Sequence, residues 1–242
     1  MEEKNKYSFS GKVRYSEIDD KNRLSIPSVV NYFQDCALFQ SEEYGLGLDF
    51  LREKKCGWIL SSWTLEFWAY PKLNDALKIT TWAAAFRSFM GFRNFALEGE
   101  KGQLYARANS LWVYMDMERG RPVKPSEEEV RRYGTAPALD MEAAPRKMKL
   151  PEEAVTCEKI QVRRSQIDTN RHMNNCQYIA DALEFAAEDR EIVKIRTEYK
   201  KSAHYGDLIY PKLAKSDHMD TIALCNEAGE AYAIVELWYK EN

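Results

Sequence analysis

The sequence carries the same ordered set of short motifs twice, and this internal repeat constrains the possible folds more than any other feature. The segment Val13–Asp19 matches Val162–Asp168 in five of seven positions. Further along, Glu66–Asp75 shares its first glutamate, the aromatic residue after it and its final aspartate with Glu198–Asp207. Because the motifs recur in the same order, they predict two tandem copies of one folding unit.

The residues after the first motif differ between the copies in one respect that matters for chemistry. With a gap of one residue, Asn22 aligns with Asn170, and Leu24 then stands opposite His172. In this alignment a carboxylate and an amide occur in both copies, whereas an imidazole occurs only in the second. We therefore expect one equipped site per chain, in the second copy.

Each copy predicts a long helix followed by several strands. The helices are predicted from Pro27 to Tyr44, with Gly45 after the last turn, and from Asn175 to Ala187. The predicted strands are rich in aromatic and β-branched residues. They are Gly57–Tyr70, Ala76–Phe86, Phe92–Glu100 and Gln103–Met115 in the first copy, and Ile192–Ala203, Leu208–Lys215, Thr221–Asn226 and Ala231–Lys240 in the second. One helix followed by a run of strands, twice, favours an α+β fold of two tandem hotdog units, each a long helix wrapped by an antiparallel sheet.

A charged stretch with several prolines separates the two copies. It runs from Arg119 to Pro151 and is typical of a connecting segment. We place the N-terminal hotdog unit at residues 1–135, the linker at 136–156 and the C-terminal hotdog unit at 157–242.

The composition restricts the partners of the protein. Lys and Arg number 35 and Asp and Glu 38, for a net charge of -3, so no general attraction to nucleic acid is expected. The five cysteines are spread along the chain without a C-x-x-C pair, which fits a reducing compartment. No apolar run is long enough to cross a membrane, and the N-terminus lacks a signal or transit composition. We therefore expect a cytoplasmic protein that binds neither nucleic acid nor membrane.

A polar segment lies between motif and helix in the second copy. Its side chains suit hydrolysis of a thioester, whose thiolate has a pKa of roughly 8.5 and departs with little help from an acid. Asp168 can serve as nucleophile or base, Asn170 can position the carbonyl or the water, and His172 can share the base role. Asn174 or Asn175 would cap the next helix, whose free N–H groups form a ready oxyanion site.

Other interpretations of these residues stay open from spacing alone. Asp and Asn between a strand and a helix are most often turn and cap residues. A metal site made of Asp168, His172 and His204 lacks a recognised ligand spacing, so we expect neither a metal nor another cofactor. Ser165 lies outside any G-x-S-x-G elbow, which disfavours a serine hydrolase.

The segment Asp168–Ile179 is similar to the D-x-N-x-H-x-N-N-x-x-Y-I motif of the acyl-ACP thioesterases of bacteria and plant plastids. Leu111–Asp116 also matches this family, and Glu198–Lys201 resembles its E-Y-R-R strand, so the resemblance runs over nearly the whole chain. It implies a double hotdog that hydrolyses the thioester of fatty acyl-[acyl carrier protein], releases free fatty acid and ends chain elongation. The implied catalytic groups are the carboxylate, amide and imidazole of the polar segment. The implied partners are the fatty acyl chain and the acidic acyl carrier protein, bound transiently.

The sequence departs from the plant members directly after this strand motif. They continue with Glu-Cys, whereas this chain has Ser202 and Ala203. Alternation along the predicted strand puts Glu198, Lys200 and Ser202 on one face, so Ser202 is expected where plant members present the carboxylate. A serine hydroxyl takes up no proton at neutral pH, so the base must be the aspartate or the histidine of the polar segment.

The remaining assignments concern the substrate and its carrier. The resemblance implies an acyl pocket built mainly by the first copy. The residues predicted to bind the substrate are Val30, Phe33, Trp58, Trp63, Asn174, Asn175 and Ser202. The basic residues predicted to bind the acidic carrier are Arg171, Lys200 and Lys201.

Two other functions fit the same residues. An acyl-CoA thioesterase has the same chemistry with another carrier, and a non-catalytic acyl-binding hotdog protein keeps the pocket without turnover. The oligomeric state is also open between monomer and homodimer, because two fused hotdog units already supply the pairing that single ones obtain by dimerising.

Overall fold

The structure is a computed structural model that describes residues 5–150 and 152–241. The outermost residues of the two predicted units, 1–4 and 242, and Pro151 of the predicted linker lie outside the described residues. The chain divides into two compact units. The first unit comprises the chain up to Leu60 and Phe67–Ala143, and the second unit comprises Ser61–Glu66 and the chain from Ala144 onward. No helix in the described ranges is long and apolar enough to span a membrane.

The first unit packs one long helix against an antiparallel sheet. Its helices are α1 (Ile26–Glu43), α2 (Leu48–Lys54) and α3 (Glu127–Tyr133). Its strands are β1 (Tyr7–Lys12), β2 (Cys56–Phe67), β3 (Ala76–Arg87), β4 (Met90–Gly99), β5 (Leu104–Asp116) and β6 (Arg121–Pro122). The strand order is β1-β3-β4-β5-β2, and the short β6 pairs antiparallel with the end of β5. The side chain of Ser25 caps α1, and Gly45 ends it with a left-handed φ of 65°.

The second unit repeats this arrangement. It contains α4 (Asn175–Leu183) and the strands β7 (Val155–Thr156), β8 (Ile160–Gln161), β9 (Ile192–Tyr199), β10 (Leu208–Lys215), β11 (Met219–Cys225) and β12 (Ala231–Tyr239). The strand order is β9-β12-β11-β10-β7, β8 also pairs with β10, and Ser62–Glu66 pairs antiparallel with β9. The buried face of α4 packs on β11 and β12. The α+β fold of two tandem hotdog units is confirmed.

Several element boundaries differ from those predicted, and two of them, together with one additional helix, have a clear local cause. The helix α4 ends at Leu183 instead of Ala187, because Phe185 and Ala186 donate to carbonyls three residues back and tighten the chain into turns. The strand β9 ends at Tyr199 instead of Ala203, because the N–H groups of Lys200 and Lys201 both donate to Tyr232 O and break the ladder. The helix α3 lies inside the stretch predicted to be a connection, where Ser126 and Glu129 form a capping box.

The duplication extends to individual hydrogen bonds. Lys200 and Lys201 converge on one carbonyl, and so do Trp68 and Ala69, which both donate to Tyr105 O. In the first unit, Val13 N donates to Asp75 O, and Val13 O accepts from Asn74 N. In the second unit, Val162 makes the same two backbone bonds with Asp207 and Gly206. Tertiary hydrogen bonds therefore identify equivalent positions more reliably than residue identity does.

One side-chain hydrogen bond between the central helix and the preceding loop has its donor and acceptor exchanged between the units. In the first unit, Tyr32 of α1 donates to the carboxylate of Glu17 at 2.9 Å. In the second, Gln166 donates its amide to Asp181 of α4 at 3.1 Å, and the other carboxylate oxygen of Asp181 is buried with no hydrogen bond from any described residue. Burial raises the pKa of Asp181 to about 6. Asp181 therefore places a poorly solvated carboxylate beside the loop that precedes α4.

Replacement of Asp181 by asparagine is expected to stabilise the protein at neutral pH. Below the unfolded pKa of about 3.9 the carboxyl is neutral in both states. As the pH rises from about 4 to about 6, the unfolded state ionises first and the folded state loses stability. Asp181→Asn should therefore raise the free energy of unfolding by about 1–2 kcal/mol at pH 7.5 and by clearly less at pH 4.5.

Urea unfolding between pH 4.5 and pH 7.5 measures this difference. The exposed Asp217 of the same unit provides the control, and Asp217→Asn should leave the pH dependence unchanged. A stabilisation by Asp181→Asn that is equal at both pH values would contradict the assignment of a raised pKa to this carboxyl.

Candidate active site

The polar segment of the second unit folds into a closed turn around the carboxylate of Asp168. Its Oδ1 accepts the backbone N–H groups of Asn170 at 2.8 Å and His172 at 3.1 Å. The backbone adds two more bonds, from Asp168 N to His172 O at 2.8 Å and from Arg171 N to Asp168 O at 3.1 Å. Arg171 adopts a left-handed φ of 63° to close the turn. One carboxylate oxygen of Asp168 is therefore committed to structure.

The first unit contains the same turn. Asp19 Oδ1 accepts the N–H groups of Lys21 at 3.0 Å and Arg23 at 2.9 Å, and Asn22 has a φ of 58°. The bond from Asp19 N to Arg23 O, at 2.7 Å, completes the match. We call the two turns the Asp19 turn (residues 19–23) and the Asp168 turn (residues 168–172).

This match corrects the sequence alignment. The hydrogen bonds keep a constant offset of 149 residues (168 minus 19) through both turns, with no gap. His172 is therefore opposite Arg23 and not Leu24, and Asn170 is opposite Lys21 and not Asn22. The prediction that an amide recurs in both copies was wrong, because the register is set by the carboxylate and its two N–H donors. The amide and the imidazole are both specific to the second unit.

The two turns differ in the second carboxylate oxygen. In the Asp19 turn, the guanidinium of Arg23 lies 3.3 Å from Asp19 Oδ2 and neutralises it. In the Asp168 turn, His172 replaces that arginine, and Asp168 Oδ2 makes no hydrogen bond or ion pair within the described residues. Asp168 is only half-buried, so this oxygen can reach a substrate or a water molecule.

Aromatic hydroxyls and backbone bonds hold the Asp168 turn against its neighbours. Met173 N donates to Ala203 O at 2.9 Å, and Ala203 N donates to the hydroxyl of Tyr178 at 2.8 Å. Tyr199 donates its hydroxyl to Asn175 O at 3.0 Å and ties the start of α4 to β9. The loop after β9 is therefore fixed directly beside the turn.

This loop brings a second imidazole to the site. The rings of His172 and His204 meet edge to face, with centroids 5.0 Å apart. His204 Nδ1 lies 3.3 Å from Arg171 O, and because a carbonyl only accepts, the proton of this bond belongs to Nδ1. From the sequence alone, His204 was a candidate only for a metal ligand. Lys72 is the equivalent residue of the first unit, 132 positions earlier, and it forms a β-bridge with Arg23. Because Arg23 is equivalent to His172, this bridge indicates that His204 lies beside His172.

The remaining predicted side chains around the turn have separate environments. Asn174 caps α4 by accepting the N–H of Cys176 at 2.9 Å. Asn170 and Ser202 are exposed, and their side chains make no hydrogen bond within the described residues. Because β9 ends at Tyr199, the strand alternation used to place Ser202 on the face of Glu198 was wrong.

The basic residues predicted to bind the carrier are not equivalent. Lys200 pairs with the buried Glu198 at 2.8 Å, and Lys201 pairs with Glu230 at 2.7 Å. The guanidinium of Arg171 is exposed and has no carboxylate partner within the described residues. Arg171 is therefore the basic side chain of this set whose charge is left for a ligand.

The residues predicted to line the acyl pocket belong to packed interiors. Val30 and Phe33 are fully buried on α1, and the ring of Phe33 lies 5.1 Å from that of Phe95. Trp58 is half-buried and packs 4.8 Å from the ring of Tyr114. Trp63 is fully buried and belongs to the second unit. Their role in acyl binding stays a prediction.

Comparison with known proteins links both units to one family. The acyl-ACP thioesterase N-terminal domain matches residues 4–133, and the acyl-ACP thioesterase C-terminal domain matches residues 149–240. A chloroplastic acyl-[acyl-carrier-protein] hydrolase of Cuphea viscosissima is 24% identical over 91% of this chain and 55% of its own length. The chloroplastic oleoyl-acyl carrier protein thioesterase 1 of Arabidopsis thaliana is 23% identical over 81% of this chain and 60% of its own length. The chain thus spans a little over half the length of these curated relatives.

Solved structures share the fold over the whole chain. An acyl-ACP thioesterase from Bacteroides thetaiotaomicron superposes with a TM-score of 0.90 at 19% identity, covering 98% of both chains. The 12:0-ACP thioesterase from Umbellularia californica superposes with a TM-score of 0.87 at 17% identity, covering 99% of both.

Proposed function

This chain belongs to the acyl-ACP thioesterase family, and we propose that it hydrolyses the thioester of fatty acyl-[acyl carrier protein] to give a free fatty acid and the carrier thiol. The observation that carries this proposal is the free Oδ2 of Asp168 in the second of two turns that share the same backbone hydrogen bonds. A carboxylate oxygen of this kind can attack a carbonyl or take a proton from water. The five cysteines are free thiols, which supports a reducing compartment such as the cytoplasm.

The Asp168 turn, the start of α4 and the loop after β9 supply the groups that the reaction needs. Asp168 Oδ2 takes a proton from water as the water oxygen adds to the thioester carbonyl. The backbone N–H of Asn175 has no partner within the described residues and lies in the first turn of α4, where it can stabilise the developing oxyanion. The tetrahedral intermediate expels the carrier thiolate, which then takes up the proton. Asn170 orients the water with its free amide, and His172 beside His204 relays the proton.

The departure from the plant sequences fits this assignment. Ser202 is exposed and outside β9, and its hydroxyl has no hydrogen-bond partner within the described residues. A neutral hydroxyl of this kind accepts no proton from water at neutral pH. The base of the reaction is therefore Asp168, supported by His172.

The acyl group is proposed to lie along the apolar face of α1 in the first unit. This face includes the fully buried Val29, Val30, Phe33 and Cys36. An acyl chain gains up to about 0.8 kcal/mol for each CH₂ that it buries against such a surface. Small displacements of these side chains would open a channel whose length sets the preferred chain.

Thiol release from matched acyl-ACP and acyl-CoA substrates tests the proposed function. We expect turnover of acyl-ACP with kcat/KM at least tenfold above that for acyl-CoA of the same chain length. Faster turnover of acyl-CoA would instead support an acyl-CoA thioesterase. Tight acyl-ACP binding without thiol release would support a non-catalytic acyl-binding protein.

The duplicated turn provides a matched pair of variants. Asp19→Asn and Asp168→Asn each weaken the two N–H bonds that close a turn, and each should lower the free energy of unfolding by about 1 kcal/mol. Only Asp168→Asn removes a base, so it should lower kcat for acyl-ACP by roughly 10²-fold or more. Asp19→Asn should keep kcat within about threefold of the unaltered chain. Equal losses of kcat in the two variants would mean that Asp168 acts only through the turn.

Shortening the side chain of Phe33 should lengthen the preferred acyl chain. Phe33→Ala creates space on the buried face of α1, and each added CH₂ that fills it contributes up to about 0.8 kcal/mol. Thiol release across an acyl-ACP series measures the shift. Ile222→Ala is the control, because Ile222 is equally buried but belongs to the second unit, and it should leave the profile in place. An unchanged profile in Phe33→Ala would place the acyl pocket elsewhere.

A further inference from the structure

A basic hollow adjoins the Asp168 turn in the second unit. It is lined by Arg164, Ile167, Arg171 and Tyr205. Arg171 belongs to the turn itself, and Arg164 opens the short 3-10 helix that precedes it. Tyr205 comes from the loop after β9 and is 61% exposed, which is high for so large an aromatic side chain.

The two arginines carry uncompensated charge. Neither Arg164 nor Arg171 forms an ion pair within the described residues, and both are exposed. The guanidinium of Arg164 instead lies 5.5 Å from the ring centre of Tyr205, a cation–π arrangement that orients it without neutralising it. Lys200, Lys201 and Arg196 of the same unit, in contrast, are each paired with a glutamate. The hollow therefore contains two guanidinium groups whose charge no carboxylate of the described residues neutralises.

The duplication supplies an internal comparison. At the constant offsets of 149 and 132 residues, Arg164 is replaced by Tyr15, Arg171 by Asn22 and Tyr205 by Leu73 in the first unit. The shared fold therefore requires neither arginine. Both cations occur only beside the turn whose Asp Oδ2 is free, which indicates a ligand rather than a structural role.

Two residues that line the hollow are sequence neighbours of the two histidines. Arg171 precedes His172 in the turn, and Tyr205 follows His204 in the neighbouring loop. The pair of histidines forms one contact, with ring centroids 5.0 Å apart, whereas Arg171 and Tyr205 line the hollow. A substrate whose thioester lies at the imidazoles would therefore extend towards the arginines with its carrier arm.

We propose that this hollow binds the phosphate of the phosphopantetheine arm that carries the acyl thioester. Two guanidinium groups offer the planar, bidentate donors that phosphate oxygens prefer. Ile167 and the ring of Tyr205 give an apolar wall for the methyl groups of the arm. The proposal rests on the proposed function, since it names the part of the thioester substrate that this hollow recognises.

A pair of substrates that differ only in the phosphate tests the proposal. The Arg164→Met and Arg171→Met double variant should raise KM for an acyl-4′-phosphopantetheine at least tenfold and leave its kcat unchanged. Its KM for the matching acyl-pantetheine, which lacks the phosphate, should stay within twofold of the unaltered chain. The Arg164→Lys and Arg171→Lys double variant keeps the charge but loses the bidentate donors. Its KM for acyl-4′-phosphopantetheine should therefore lie between that of the unaltered chain and that of the methionine double variant.

Arg190→Met provides a matched control. Arg190 also stacks on a tyrosine of the second unit, 4.2 Å from the ring centre of Tyr239, but it does not line the hollow. This variant should leave both KM values unchanged. An equal rise in KM for the substrates with and without phosphate would overturn the proposal, and so would a rise confined to intact acyl-ACP, which would assign the arginines to acidic side chains of the carrier.

Direct binding separates this proposal from the proposed function. Titration calorimetry with 4′-phosphopantetheine should give saturable binding that weakens at least tenfold in the methionine double variant and persists in Arg190→Met. If the unaltered chain binds this probe but releases no thiol from any substrate, the proposed hydrolysis fails and the phosphate site stands. If it releases thiol but binds the probe no better than the double variant does, the phosphate site fails and the hydrolysis stands.

Discussion

Each unit of this protein depends on one carboxylate that accepts two backbone N–H groups and thereby closes a turn before the central helix. Such charge-assisted bonds are stronger than neutral ones and contribute about 1.5–3 kcal/mol each. The turn fixes the direction in which the chain enters the helix, and its last residues pair with the loop that leaves the sheet. Without this acceptor, the two residues that flank the positive-φ residue at the corner would lose the hydrogen bonds that hold the strained corner in place.

Duplication of this turn separates its structural role from its chemistry. The backbone needs only Oδ1 of the aspartate, so Oδ2 is available for another purpose in both copies. In the first copy Arg23 neutralises it, and in the second copy His172 leaves it open. The same two loops that meet as Arg23 and Lys72 in the first unit meet as His172 and His204 in the second. One neutralised copy and one open copy therefore place the proposed site in the second unit alone.

Much of the fold could be predicted from the sequence, because the repeat and the strand composition are local patterns. The register of the two turns could not be predicted. The shared asparagine suggested that Asn22 aligns with Asn170 across a gap, and the hydrogen bonds of the turns exclude this gap. The end of β9 was also hidden, because two successive N–H groups that share one carbonyl leave no mark in residue type. Arg164 and Tyr205 lie far apart in sequence and meet only because a backbone bond holds the loop after β9 beside the turn.

The two turns share their backbone hydrogen bonds and differ in the side chains around the second carboxylate oxygen. Thiol release from acyl-ACP by a chain with Asn170→Lys and His172→Arg, which gives the Asp168 turn the lysine and the arginine that flank Asn22 in the Asp19 turn, is the decisive measurement. Because the new arginine would pair with Asp168 Oδ2 as Arg23 does with Asp19, we predict a cooperative unfolding transition near that of the unaltered chain and a loss of acyl-ACP hydrolysis of roughly 10³-fold or more. The reciprocal chain, with Lys21→Asn and Arg23→His, should hydrolyse acyl-ACP at the unaltered rate. Hydrolysis that survives the first exchange within tenfold would contradict the account.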